Sequence, residues 1–192
     1  MPKMLGIHGT VTAPGRLHQA LQLALESAGN KQEPVETCLL HLGDHRISFA
    51  DGRPPANYPD DTGKVVEQVI AADMYLIATP IFRASFSASL KNLLDLVPVE
   101  GLMGKPCGLI GMGATDHHYL AIDTQLRPVL SWFGAHQVPG AVYLKSSHFQ
   151  DGRLVDAAAI AGLESIIEAV IASQQAISER SGMMGPKPLA AG

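Results

Sequence analysis

An α/β fold, with one parallel sheet buried between two layers of helices, is predicted by three features of the sequence. Short apolar runs rich in β-branched residues alternate with longer stretches of helical periodicity, the pattern of βα units that build a parallel sheet. The runs, MYLIATP at residues 74–80 among them, show no polar alternation, as in strands whose two faces are both covered by helices. A length of 192 residues and a hydrophobic content of 46% suit one domain with a full core.

In chain order, the first strand, residues 3–8, enters a glycine turn, and a helical pattern follows at 16–28. A second strand over 35–42 leads into GDHRISFADGRPPANYPDD, residues 43–61. Its three prolines and many polar residues make a long surface loop before a helix at 62–72. The third strand is read at 74–79, ended by Thr79 and Pro80, and Ser87 is placed as the N-cap of a helix over 87–97. The fourth strand, 106–112, precedes a helix over 116–133, in which Tyr119, Ile122, Leu126, Val129, Leu130 and Phe133 form one apolar stripe. Part of that stripe is available to another subunit. A fifth strand over 137–144 and a helix from 156 to about 180 complete a single domain over 1–180. The aperiodic SGMMGPKPLAAG at 181–192 reads as a flexible tail.

Composition excludes several classes. A formal charge of -4 and a pI near 6.0 leave no broad basic surface, so nucleic acid is not an expected partner. The N-terminal MPKMLGIHG has no small-residue cleavage site, and no apolar stretch of the ~20 residues that span a bilayer is read, so no membrane is expected. Cys38 and Cys107 lie far apart within apolar runs, where buried, reduced thiols are usual. The expectation is a cytoplasmic protein.

Ligands in such sheets bind beyond the carboxyl ends of the strands. The first loop there, GTVTAPGR at 9–16, runs into a helix whose N-terminal N–H groups attract phosphate. Thr10 and Thr12 add hydroxyls, Arg16 adds a guanidinium, and Gly9 and Gly15 allow close backbone approach. The loop is neither GxGxxG nor a P-loop, so a mononucleotide phosphate fits best, with a plain polar turn as the alternative. After the third strand, a turn at Pro80 would present Ile81 and Phe82 as a wall for a flat aromatic ring, unless Phe82 and Phe86 are core residues. After the fourth, the glycine-containing loop 111–116 offers main-chain groups to the polar edge of such a ring, and His117 either reaches the ligand or faces solvent. Cradle, wall and polar edge on three successive loops describe an FMN site.

With these residues in place, the chain resembles the NAD(P)H-dependent FMN reductases of bacterial two-component alkanesulfonate monooxygenase systems. The resemblance runs over about residues 3–143. It is carried by ATPIFRASFSASLKNLLDLVP (78–98) and LMGKPCGLIGMGATDHHYLAIDTQLRPVLSWFGA (102–135), with GTVTAPGR matching in outline. It implies a flavodoxin-like three-layer sandwich with a five-stranded parallel sheet, FMN with NADPH or NADH, and a homodimer or homotetramer built on the helices. It also implies a separate flavin-dependent monooxygenase as acceptor of FMNH2. Residue by residue, the resemblance implies that Thr10, Thr12, Gly15 and Arg16 hold the phosphate. Thr79, Pro80, Ile81 and Phe82 would flank the flavin, and Met112, Gly113, Ala114 and Thr115 would touch its pyrimidine edge. Two positions depart from the family. Leu17 and His18 follow Arg16 where Ser or Thr is frequent, leaving His18 as a substitute, and Thr124 stands where the sulfonate reductase has a tyrosine. Pro128 cannot donate to the carbonyl of Thr124, so a π-bulge is expected at residues 123–125, with a proline kink as the alternative.

No nucleophile paired with a base, no paired carboxylates and no metal-ligand spacing stand out. His41 and His45 are spaced like helical ligands, but Gly43 falls between them at a strand end, and Asp95, Asp116 and Asp123 read as caps or surface pairs. Hydride transfer from nicotinamide C4 to flavin N5 requires alignment and not a titrating side chain, so no catalytic residue is expected. The rival readings are a quinone or azo reductase with bound FMN, whose acceptor site loop 43–61 shapes, and a non-catalytic flavodoxin-type carrier. The modest charge and the single Trp132 argue against the carrier.

Overall fold

The computed structural model describes residues 1–32 and 35–179. Its elements run β1 (Lys3–His8), α1 (Arg16–Gly29), β2 (Glu36–His41), α2 (Thr62–Ile70), β3 (Met74–Phe82), β4 (Ser85–Phe86), α3 (Ala88–Leu96) and β5 (Pro106–Met112). A π-helical turn (Ile122–Leu126) then leads into α4 (Arg127–Trp132), followed by β6 (His136–Gln137), β7 (Val142–Leu144), β8 (Phe149–Gln150), β9 (Arg153–Leu154) and α5 (Ala157–Glu179). The tail reading at 181–192 lies outside the described residues.

The main sheet runs β2-β1-β3-β5, with β6 and β7 both paired to the outer edge of β5, and every one of these pairings is parallel. Neighbouring residues along each strand point to opposite faces, and here both faces are core. Leu5, Ile7, Tyr75 and Ile77 pack with α2, α3 and α4, whereas Met4, Leu76 and Ala78 pack with α1 and α5. That is why the strand sequences carry no polar alternation. On the α5 side a Cβ at Gly108 would lie 2.3 Å from Ile166 Cγ2, so the helix seats directly on the strand backbone only because that residue is glycine. α5 has the length and mean hydropathy (1.4) of a membrane span. Its Leu163, Ile166, Ile167 and Val170 are nevertheless buried in the α1–α5 core, and its Glu164 and Glu168 pair with Lys31 at 2.7 and 3.1 Å.

Three local expectations change. β3 continues through Pro80 to Phe82, and the turn falls at Arg83 and Ala84, both with left-handed backbone (φ 51° and 62°), closing a hairpin on β4. Pro80 is tolerated because β1 stops pairing with β3 at Ala78, so its missing N–H leaves no ladder bond unmade on that side. The fifth strand is split into β6 and β7, since Pro139 cannot donate and Gly140 takes φ +74°. The helix over 116–133 opens instead with a one-turn 3-10 segment at Asp116–His118, and regular helix starts only near the π turn. The π turn itself spans the expected 123–125. Thr124 Oγ1 donates to the Leu120 carbonyl at 2.9 Å, and Asp123 pairs with Arg127 at 2.6 Å.

Candidate flavin site

At the carboxyl edge of the sheet the first and second of the three loops are tied to one another by hydrogen bonds. Gly9 N–H donates to Ala78 O at 2.8 Å, and Thr10 N–H to His8 O at 2.8 Å, which sets the course of loop 9–15. Ser87 does three things: its hydroxyl donates to Gly9 O, its side chain accepts from Leu90 N–H at 3.2 Å to cap α3, and its N–H donates to Thr79 Oγ1 at 3.1 Å. The cap was legible in the sequence; the link to the first loop was not, because it joins residues 78 apart in the chain.

The donor set suits a phosphomonoester. The N-terminus of α1, at Gly15, has no side-chain cap and no acidic residue in its first turn, so its free N–H groups and dipole favour an anion. Thr10 is buried, and its hydroxyl lies 3.2 Å from that of Thr12. Exposed Arg16 donates to Ser146 Oγ at 3.3 Å, tying the start of α1 to the loop after β7. His18, expected as a further phosphate contact, turns its ring on to His8 and His41 at centroid distances of 5.1 and 5.6 Å. Burial first, and then the neighbouring His41 and His18 rings, lower the pKa of His8 to about 4. Desolvation lowers that of His18 too.

Beside the loop a cavity of about 350 Å³ is lined by Thr10, Val11, Thr12, Leu42, His45, Ile47, Phe49, Phe82, Ser87, Ala88, Ser89 and Asn92, a size typical of small-molecule sites. Phe82 is 54% exposed and lines this space, whereas Phe86 packs against the core. Ile81 and Thr79 are buried and Pro80 is half-buried, so of these β3 residues it is Phe82 that lines the cavity. Loop 43–61 supplies much of the rest. Asn92 clamps it to α3, donating to Ser48 O and accepting from Ala50 N–H, each at 3.0 Å. Ile47 and Phe49, apolar residues in a largely polar stretch, are the signal of its role in the sequence. A larger cavity, about 600 Å³, lies between α3 and α4, away from the loops and lined mainly by apolar side chains.

The third loop is held by Tyr143, whose hydroxyl donates to Thr115 O at 2.8 Å, while Gly113 N–H donates to Leu144 O at 3.0 Å. Met112 stands opposite Pro80 in the β3–β5 register, so this loop and the Phe82 wall leave the sheet side by side. Ala114, Thr115 and His117 are exposed, and His117 Nδ1 lies 3.0 Å from Thr115 Oγ1. Asp116 pairs with Lys145 at 2.8 Å and Asp95 with Lys91 at 2.5 Å.

Comparisons with known proteins identify the family of the chain. The sequence profile of NADPH-dependent FMN reductase matches residues 2–149. An NAD(P)H-dependent FAD/FMN reductase of Geobacillus thermodenitrificans is 41% identical over 80% of this chain and 83% of its own length. An FMN reductase (NADPH) of Escherichia coli is 40% identical over 78% and 76%. Among solved structures, an NADH:FMN oxidoreductase (EMOB) in its apo form superposes with a TM-score of 0.74 over the whole of both chains at 22% identity, a likeness of fold. The chain belongs to the NADPH-dependent FMN reductase family and is an NAD(P)H:FMN oxidoreductase of flavodoxin-like fold.

Proposed function

We propose that this protein binds FMN with its phosphate on the N-terminus of α1 and its ring against Phe82, reduces it with NADPH or NADH, and releases it to a separate monooxygenase. The partner is a flavin-dependent enzyme of organosulfur metabolism, as the resemblance to the alkanesulfonate systems implies. The observation that carries the reading is the uncapped, acid-free start of α1 beside the Thr10–Thr12 hydroxyl pair and a cavity walled by Phe82. Flavin supplies the acceptance of hydride from nicotinamide C4 at N5. The residues of the chain bind, align and exclude water. Thr10, Thr12, Arg16 and the first N–H groups of α1 neutralise the phosphate; Pro80 and Phe82 support the ring; and Met112, Gly113, Ala114 and Thr115 offer main-chain groups to its polar edge.

Exchange of flavin, as opposed to retention, is supported by Phe49 and Phe82, which stand 81% and 54% exposed at the cavity. The quinone or azo reductase remains the second reading, favoured by the contribution of loop 43–61 to the same cavity. To separate them, the protein is stripped of flavin and NADPH and NADH oxidation is followed while FMN is titrated, with riboflavin and a quinone as rivals. Saturable FMN-dependent turnover with weak retention supports the proposal; fast quinone reduction over tightly held FMN supports the second reading. Self-association as a homodimer or homotetramer is part of the proposal. It is supported by Trp132, 56% exposed beside the apolar cavity between α3 and α4, and is tested by light scattering of wild type against Trp132→Arg.

A further inference from the structure

Directly behind loop 9–15, three histidines from three elements converge. His8 ends β1, His41 ends β2, and the two are register partners whose Nδ1 atoms lie 2.8 Å apart. His18, in the first turn of α1, closes the group, so that one ring nitrogen from each residue lies within 4.8 Å of the others. His8 and His41 are 2% and 4% exposed. The backbone makes room for them: a Cβ at Gly43 would stand 2.7 Å from His41 Nε2. Hydrogen bonding accounts for the contact of His8 with His41 but not for His18, whose Nδ1 is buried with no hydrogen-bond partner among the described residues. Asp44 lies close enough for its charge to act on both His8 and His18, placing an anion beside the cluster.

We propose that His8, His18 and His41 bind one divalent transition-metal ion, of which Zn2+ is the natural candidate, with water completing the coordination. Imidazole nitrogens suit zinc and its neighbours in the first transition row. Two nitrogens at ~2.0–2.1 Å from one tetrahedral zinc are ~3.4 Å apart, a spacing that the observed distances bracket. Because His8 and His18 flank residues 9–17, the ion would pin both ends of the loop assigned above to the FMN phosphate. That consequence rests on the proposed flavin site; the metal site does not.

The test uses the full chain, tag-free, stripped of flavin and treated with EDTA, with Zn2+ or Co2+ alone as the probe. Expected are one Zn2+ per chain in competition with a chromophoric chelator, visible d–d absorption with Co2+, and a rise in Tm on adding Zn2+. His18→Gln, checked for folding by circular dichroism, should weaken binding at least ~100-fold, since loss of even an outer-shell partner costs 10–100-fold. His8→Ala and His41→Ala should do the same if they fold. The double variant His117→Ala/His118→Ala should keep one Zn2+. Absence of stoichiometric binding at micromolar Zn2+, binding unchanged in His18→Gln, or loss of the ion in the His117/His118 variant would each overturn the proposal. The cluster would then be hydrogen-bonded imidazoles alone.

Discussion

Gly113 sits where the third loop leaves β5, and the space that a side chain would need there is already filled. A Cβ on it would lie 1.8 Å from Tyr143 Oη and 2.8 Å from Cζ, far inside the ~3.5–4.0 Å of a favourable contact. In Gly113→Ala the tyrosine ring must therefore swing away and surrender its 2.8 Å bond to Thr115 O. Net loss of that bond is worth about 0.5–1.5 kcal/mol, and giving up the packing of a half-buried ring brings the cost of the ordered loop to about 1–2 kcal/mol. If residues 112–115 read the polar edge of the flavin, that cost appears in binding, and KM for FMN should rise ~5–30-fold. Tyr143→Phe, which removes the bond but keeps the ring, should stay near the lower end. Steady-state kinetics with FMN varied at saturating NADPH reads both. A KM for FMN within twofold of wild type in Gly113→Ala, with the tyrosine displaced in its crystal structure, would refute the role given to this loop.

Ser87→Ala removes the cap of α3 and the bond to Gly9 O together; about 1–2 kcal/mol should be lost, a fall in Tm of ~2–8 °C by calorimetry. Burial pushes the Cys107 thiol up to about 12, so a thiol reagent at pH 8 should label half-buried Cys38 first and Cys107 only on unfolding. In metal-free protein, His8 titrates at about 4 when folded against 6.5 when unfolded. The unfolded chain thus binds more protons between those values, and stability should fall by up to about 3 kcal/mol as pH drops through that window. Urea melts at pH 7, 5.5 and 4.5 in EDTA check this. The carboxyls of Asp51 and Asp60, held down to about 2 from 3.8 chiefly by hydrogen bonds from Arg53 and Thr62, add their own loss only below about pH 4. An unchanged melt at pH 4.5 would show that the histidine is not desolvated as described.

Periodicity alone determined the layered sheet, because each strand buries both of its faces and each helix one, and that pattern is written in consecutive residues such as 74–78. The positions of loops 9–15 and 111–116 followed for the same local reason, as did the Ser87 cap and the π turn forced by Pro128. Where distant segments meet, only the folded chain decided. Pro80 remained in a strand because β1 happens to end opposite Ala78. Loop 43–61 became a wall of the cavity because Asn92 of α3 holds it there. His18 turned from the phosphate loop to two histidines that parallel pairing of β1 with β2 brings to one level. Contacts of that kind depend on register and on the packing of helices against the sheet, which leave no trace in local periodicity.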